Sequence, residues 1–244
     1  MGRVLCVIPA RYGSTRLPGK PLLEIAGVPL IAHVYKNAVA SGAFDEICVA
    51  TDDPRIAEAV HAVGGIAVMT SPEHVSGTDR INEAATRFSC SYVVNIQGDE
   101  PRIPGDVLKK FSAALGDIDD NSLLTVVSHA TMEEKSDPNV VKAVLGKNDE
   151  ALYFSRAAIP FERNGSAPCY RHVGIYGFTT GGLRRFCSFD EGSLERVERL
   201  EQLRALENGM KIKCLKYDFE SVGIDTPNDL ERFRRWAAGN GYGT

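Results

Sequence analysis

Three features of the sequence predict an α/β fold with a doubly wound, mostly parallel, Rossmann-like sheet and an embedded antiparallel hairpin. The run RVLCVI (3–8) is continuously apolar, the pattern of a parallel strand covered on both faces. Strand-like and helix-like segments then alternate as far as residue 130. Beyond that point VVKAVL (140–145) and ALYFS (151–155) flank a polar KNDE turn, which predicts two antiparallel strands.

The elements follow in order. After the first strand and a Gly- and Pro-punctuated loop, Pro29 suits the first turn of a helix, where its missing N–H is not needed. Leu30, Ile31, Val34, Tyr35, Ala38 and Val39 supply that helix's apolar stripe, and Gly42 can end it. EICVAT (46–51) is the next strand. Asp53-Pro54 opens a helix whose inward residues are Ile56, Ala57, Val60 and Val63. IAVM (66–69) leads through a polar loop to a helix opened by Thr78. YVVNIQ (92–97) leads through GDEP to a helix from about Pro104, with Val107, Leu108, Phe111 and Leu115 inward. LLTVVSHA (123–130) closes the alternating half. YRHVGIYGFT (170–179) is a further strand, and helices over 193–208 and 226–238 bracket a last strand, KIKCLKY (211–217). No composition break marks a linker, so 1–244 is expected to be one domain with an antiparallel excursion at about 140–179.

Composition narrows the function. The chain has 244 residues, 43% hydrophobic and 25% charged, the proportions of an ordinary globular protein that needs no staple to fold. A net charge of −4 argues against nucleic acid as a partner, because no general basic field is available. None of the six cysteines lies in a C-x-x-C pair. Cys6, Cys48 and Cys214 sit inside apolar strands, where reduced buried thiols are expected. Neither a signal-like segment nor a membrane-length apolar run is present, so a cytoplasmic protein without membrane association is expected. The charge is unevenly placed, however. Arg3, Arg11, Arg16 and Lys20 all precede the first carboxylate, Glu24.

In a doubly wound sheet, ligands bind beyond the carboxyl ends of the strands. The loop there, PARYGSTRLPGKPL (9–22), carries Arg11, Arg16 and Lys20, with Gly13, Ser14 and Gly19 permitting close backbone approach. A triphosphate would neutralise these cations; a solvated basic loop is the alternative. The loop is neither a P-loop, since Pro21 stands where the hydroxyl residue belongs, nor G-x-G-x-x-G.

IPARYGSTRLPGKPL resembles the opening signature of the 3-deoxy-manno-octulosonate (Kdo) cytidylyltransferases, or CMP-Kdo synthetases, within the sugar nucleotidyltransferases. Further segments resemble the same family in order: ATDD (50–53), SGTDR (76–80), VVNIQGDEP (93–101), ALYFSRAAIP (151–160), RHVGIYGF (171–178), LEQLRALENG (200–209) and GIDTPNDLE (223–231). Only the loops at 161–171 and 220–225 are shorter than the resemblance leads one to expect. It implies transfer of CMP from CTP to Kdo with release of pyrophosphate, for lipopolysaccharide synthesis, by a Mg²⁺-dependent homodimer that uses the antiparallel excursion as its dimerisation surface. An enzyme acting on 8-amino-Kdo or another 2-keto sugar acid, or a nucleotide-sugar-binding regulator, are the alternatives.

The resemblance also implies roles for residues. Ala10, Arg11, Gly13, Ser14, Arg16, Lys20, Ser76, Gly77 and Arg80 would bind the nucleotide, with Lys20 at the reacting α-phosphate. Asp99 and Asp225 would hold Mg²⁺, which needs only one or two carboxylates beside phosphate and water. Read alone, Asp99 is a turn or capping residue, Asp225 a helix N-cap, and SGTDR a loop and helix start. Gln97, Arg156, His172, Tyr176, Glu201 and Gln202 would surround the sugar acid, Arg156 taking its carboxylate. Along a continuous helix 193–208, Leu194, Val197, Leu200, Leu203 and Leu206 form an apolar arc that includes Glu201, as a ligand-binding carboxylate would. Arg204 falls in the same arc, so an internal ion pair or a subunit contact competes. His172 read alone is a structural hydrogen-bonding residue.

Overall fold

The computed structural model describes residues 2–13, 17–165, 167–219, 223–224 and 226–240. The chain divides into two compact units, Met1–Ser112 with Glu220–Thr244, and Ala113–Phe219.

In the first unit the elements run β1 (Val4–Ala10), a 3-10 turn (Lys20–Leu22), the short pair β2 (Glu24–Ile25) and β3 (Val28–Pro29), α1 (Leu30–Ser41), β4 (Glu46–Thr51), α2 (Pro54–His61), β5 (Ile66–Met69), α3 (Gly77–Ala85), β6 (Tyr92–Ile96) and α4 (Gly105–Ala114). The four long strands are parallel in the order β6-β1-β4-β5. β1 lies in the middle, and Leu5, Cys6, Val7 and Ile8 are fully buried, as its unbroken apolar run requires. The crossovers from β1 to β4 and β5 run one way across the sheet, and the crossover through α3 to β6 runs the other. Right-handed connections therefore place α1 and α2 on one face and α3 on the opposite one.

The helices follow most of the predicted stripes. However, α2 ends at His61, so Val63 lies beyond it and is half-buried, and Pro29 ends β3 and occupies the N-cap of α1 instead of lying in its first turn. Val39 is 50% exposed, because α1 turns that residue away from the sheet. α3 is capped by Ser76, whose hydroxyl accepts the Asp79 N–H, so Thr78 lies inside the helix and is buried. The helix α9 (Pro227–Gly239, numbered after the elements of the second unit) returns to the first unit. Arg234 donates to the Glu24 carbonyl at 3.0 Å, and Arg102 lies 3.7 Å over the Trp236 ring.

The second unit holds β7 (Ser122–His129), α5 (Met132–Ser136), β8 (Lys142–Leu145), β9 (Ala151–Ser155), β10 (Tyr170–Thr179), α6 (Thr180–Cys187), α7 (Ser193–Glu198), α8 (Leu203–Glu207) and β11 (Lys211–Lys216). β11 is parallel to β7, whereas β7–β10, β10–β8 and β8–β9 are antiparallel, so the expected hairpin is present. The register of β10 on β7 shifts between Val173 and Tyr176, at Gly174 and Ile175. Such a bulge bends the strand and re-aims its side chains.

The continuous helix expected over 193–208 is not formed. α7 stops at Arg199, whose φ of 55° is left-handed, and α8 begins at Leu203. That single torsion breaks the 100° phase on which the apolar arc depended. Leu194 and Val197 are 40% and 82% exposed, while Leu200 and Leu203 are buried. Arg204 proves to be in an internal ion pair: its Nε and Nη2 lie 2.8 and 2.7 Å from the two Glu195 oxygens, with both residues buried.

Cys6, Cys48 and Cys214 are buried free thiols, as expected. Burial pushes the Cys48 and Cys214 thiols up to about 12, which leaves them un-ionised and inert at neutral pH.

Arg204→Met leaves the Glu195 carboxylate buried without its counter-charge and should cost about 3–5 kcal/mol of stability by urea denaturation. Replacing both residues by apolar ones of similar volume should recover most of that loss. A single variant as stable as the parent would show that the pair contributes nothing.

Candidate active site

The strand order positions the site. The chain leaves β1 for β4 and β5 on one side and returns on the other as β6, so a crevice opens where the carboxyl ends of β1 and β6 diverge. A cleft of about 310 Å³ lies there. Pro9, Ala10 and Arg11 come from the end of β1, Lys20 and Pro21 from the following turn, and Gln97, Gly98 and Asp99 from the end of β6. His74, Val75, Ser76, Gly77 and Arg80 complete the wall from the loop before α3 and its first turns.

Local geometry explains how these residues converge. Gly19 has φ 66°, a left-handed conformation that glycine adopts without penalty, and its N–H donates to the Tyr12 carbonyl at 3.2 Å. This turns the chain back and starts the 3-10 turn at Lys20, which Pro21 continues with its fixed φ. Gly98 has a different reason: a Cβ there would lie 2.8 Å from the Pro9 carbonyl oxygen, so only glycine lets the β6 loop cross the end of β1. The result is a close pair across 79 positions of sequence, Lys20 Nζ to Asp99 Oδ2 at 2.6 Å, with the side chains 14% and 27% exposed. A polyphosphate entering the cleft meets Lys20 as a point charge, and Asp99 is a carboxylate able to hold a divalent cation beside it.

Arg80 lines the cleft but is itself buried and anchored from behind. Its Nη1 donates to Thr70 Oγ1 at 2.5 Å, and its Nη2 is 3.4 Å from Asp52 Oδ2. On the same wall His74 Nε2 lies 2.5 Å from Glu83 Oε2. The Ser71 N–H and then His74 hold the Glu83 carboxyl below its ordinary range.

Of the residues singled out in the sequence, Ala10, Arg11, Lys20, Ser76, Gly77, Arg80, Gln97 and Asp99 meet at this cleft. Gly13 is exposed and is not among its lining residues. Ser14, Arg16 and Asp225 lie outside the described residues. Sequence reasoning missed Pro9, Pro21, His74, Val75 and Gly98 in the wall, and Thr70 and Asp52 behind it. EHV directly precedes SGTDR and ATDD contains Asp52, so both lie in or beside recognisable segments. Nothing in those segments says which side chain turns toward Arg80.

The remaining residues lie in the second unit. Thr125 Oγ1 donates to the Ile175 carbonyl at 2.7 Å and lies 2.9 Å from His172 Nε2. With the hydroxyl proton committed to Ile175, the network assigns the imidazole proton to Nε2, so Nδ1 is an acceptor. Phe154 and Tyr176 flank the ring at centroid distances of 5.2 and 5.4 Å, and burial lowers the His172 pKa to about 3. Tyr176 donates to Gln202 Oε1 at 3.1 Å; burial and then Glu201 push its hydroxyl far above the ordinary range. Gln202 Nε2 is buried and, among the described residues, has no hydrogen-bond partner. Glu201 is half-buried in the bend between α7 and α8, not on a helical stripe. Arg156 Nε donates to the Glu198 carbonyl at 3.0 Å and Nη1 to the Pro138 carbonyl at 3.2 Å.

A family model described as Cytidylyltransferase matches residues 5–212. The 3-deoxy-manno-octulosonate cytidylyltransferase of Methylococcus capsulatus is 47% identical over 248 residues, covering 96% of each chain. Its namesake from Thermodesulfovibrio yellowstonii is 46% identical over 246 residues, covering 93% of this chain and 95% of the relative. This chain belongs to the 3-deoxy-manno-octulosonate cytidylyltransferase family. A solved CMP:2-keto-3-deoxy-manno-octonic acid synthetase complexed with CTP superposes with a TM-score of 0.91 at 40% identity, covering 97% of this chain and 99% of the other. The match confirms the mainly parallel α/β architecture expected of a cytidylyltransferase of this family.

The His172 pKa carries a sign that can be checked. Its folded value, about 3, lies below the ordinary 6.5, so the unfolded chain binds the extra proton between those limits. The corresponding stability is complete above pH 6.5 and is lost progressively as pH falls toward 3. Denaturation curves should therefore fall more steeply over that window in the parent than in His172→Gln. An imidazole NMR titration centred near its ordinary value would contradict the buried neutral assignment.

Proposed function

We propose that this cytidylyltransferase transfers CMP from CTP to the anomeric hydroxyl of Kdo. The anomeric oxygen forms a bond to the α-phosphorus, the bond from that phosphorus to the β-bridging oxygen breaks, the hydroxyl proton is released, and pyrophosphate leaves. The observation that carries this reading is the Lys20–Asp99 pair in a cleft at the strand-order reversal. Its support is the likeness to a synthetase solved with CTP.

In this reading Lys20 stabilises negative charge developing at the α-phosphoryl group, and Arg11 and Arg16 take the outer phosphates. Ala10, Ser14, Ser76, Gly77 and Arg80 bind the rest of the nucleotide, Arg80 with its guanidinium already oriented by Thr70 and Asp52, and Gly13 stays exposed in the loop.

The donor set fits Mg²⁺. Asp99 offers a cleft-facing oxygen carboxylate, and the Ile224 N–H, one residue before Asp225, donates to the Asp99 carbonyl at 3.0 Å. Among the described residues no group of three or more His, Cys, Asp or Glu could hold a metal. Mg²⁺ needs fewer, since phosphate and water complete its octahedron. Asp99 and Asp225 would hold it, and when bound it would neutralise phosphate charge and acidify the sugar hydroxyl.

In the second unit Arg156 takes the sugar carboxylate and His172, Tyr176, Glu201 and Gln202 take hydroxyl groups; in the first, Gln97 lines the cleft. His172 Nδ1, an acceptor in this tautomer, and Gln202 Nε2, which has no hydrogen-bond partner among the described residues, would supply one acceptor and one donor. With a pKa near 3, His172 is too weak a base to collect the anomeric proton at neutral pH, which supports a mechanism without a histidine base.

We further infer a cytoplasmic homodimer serving lipopolysaccharide synthesis. Among the described residues no helix is long and apolar enough to cross a membrane. Leu152 on β9 and Phe161 beyond it are 63% and 88% exposed, apolar surface that a second subunit would cover.

Pyrophosphate release should require CTP, Kdo and Mg²⁺ together and stop on chelation. Asp99→Ala and Asp225→Ala should abolish it in folded protein, and Lys20→Met should lower kcat by about 10²–10³-fold. Near-normal turnover in either aspartate variant would exclude the metal pair.

A further inference from the structure

Lys142 is fully buried on β8, and the chemistry proposed above gives it no role. Burying an ammonium is costly unless its hydrogen bonds are complete. Here they are: Nζ donates to the carbonyl oxygens of Asp137 at 2.7 Å, Val140 at 2.6 Å and Arg156 at 2.6 Å. An ammonium has three N–H donors, and these three carbonyls accept all of them.

The location of those carbonyls is informative. Two belong to the segment 137–140, whose Pro138 carbonyl accepts from Arg156 Nη1 at 3.2 Å. The third belongs to Arg156 itself. Lys142 thus ties the main chain that carries the guanidinium to the main chain that receives it. Glu198 holds the opposite side. Its carboxylate accepts from Ser155 Oγ at 2.5 Å and from the Arg156 N–H at 3.0 Å, and its carbonyl accepts from Arg156 Nε at 3.0 Å. That carbonyl stands at the end of α7, where the helix offers it no donor, and Arg199 turns the chain away. Arg156 is therefore fixed at backbone and guanidinium by two residues from separate elements.

We propose that Lys142 and Glu198 are positioning residues that orient the Arg156 guanidinium to receive the substrate carboxylate. The inference rests on the reading of Arg156 as the carboxylate holder. A bidentate arginine grip is directional, so a guanidinium free to rotate loses much of it. The prediction is specific: loss of either residue weakens binding of the sugar acid and spares CTP.

The test uses the full chain with Mg²⁺ and follows initial rates of pyrophosphate release while Kdo and CTP are varied in turn. Glu198→Gln is nearly isosteric; its amide oxygen can still serve Ser155, but its NH₂ then faces the Arg156 N–H. Glu198→Gln and Lys142→Met should each raise the KM for Kdo about tenfold or more and change the KM for CTP less than about twofold. In an Arg156→Ala background, adding Glu198→Gln should raise the KM for Kdo no further, since residues acting through one group are not additive. Should Lys142→Met fail to fold, Glu198→Gln and the double variant decide the matter. An unchanged KM for Kdo in Glu198→Gln, or additive effects in the double variant, overturns the positioning role and leaves that of Arg156 standing. An unchanged KM in Arg156→Ala overturns the carboxylate assignment itself, and the positioning role with it.

Discussion

Lys20 and Asp99 stand 2.6 Å apart at the mouth of two parallel strands, and the organisation of the cleft depends on that approach. Neither residue reaches the other by local structure. Lys20 is delivered by the left-handed turn at Gly19, and Asp99 by a β6 loop that passes the end of β1 only because Gly98 has no Cβ. The pair holds a cation and an anion together, each neutralising the other; in the proposed reaction the triphosphate would become the partner of Lys20 and Mg²⁺ that of Asp99. Opposite charges held at such a distance are worth most where water is partly excluded, and both side chains are largely covered.

Elsewhere the same pattern recurs at three candidate ligand-binding side chains, each fixed by other polar groups. Arg80 leans on Thr70 and Asp52, His172 on Thr125, and Arg156 on Glu198 and Pro138. Buried and half-buried ionic and hydrogen-bonded groups of this kind add little net stability, because desolvation offsets most of the attraction. What they provide is direction. A guanidinium or imidazole whose hydrogen bonds are already committed presents its remaining face in one orientation, so less ordering is left for the substrate to impose.

The segment 193–208 shows where pattern reading reaches its limit. Stepping 100° per residue placed Leu194 and Val197 inward, yet both are exposed, because Arg199 adopts a left-handed torsion and the helix restarts in a new phase. Periodicity assumes regular torsions, and one irregular residue rotates everything after it. The strands fared better, since a buried parallel strand is marked by composition and needs no phase. In the cleft, Ala10, Arg11, Lys20, Ser76, Gly77, Arg80, Gln97 and Asp99 were legible through clustered motifs. His74, Thr70 and Asp52 were not, for their roles arise from side-chain direction and carry no spacing of their own.

By itself the sequence determined the α/β class, the strand positions of the main sheet, the buried thiols and the family, because apolar runs, helix periods and contiguous motifs are one-dimensional records of burial and chemistry. Tertiary structure alone decided which charges meet. Lys20 and Asp99, Glu195 and Arg204, Lys142 and the carbonyls around Arg156 are brought together by crossovers, bulges and left-handed turns. Coulomb and hydrogen-bond energies fall steeply with distance in space, and separation along a chain does not measure that distance.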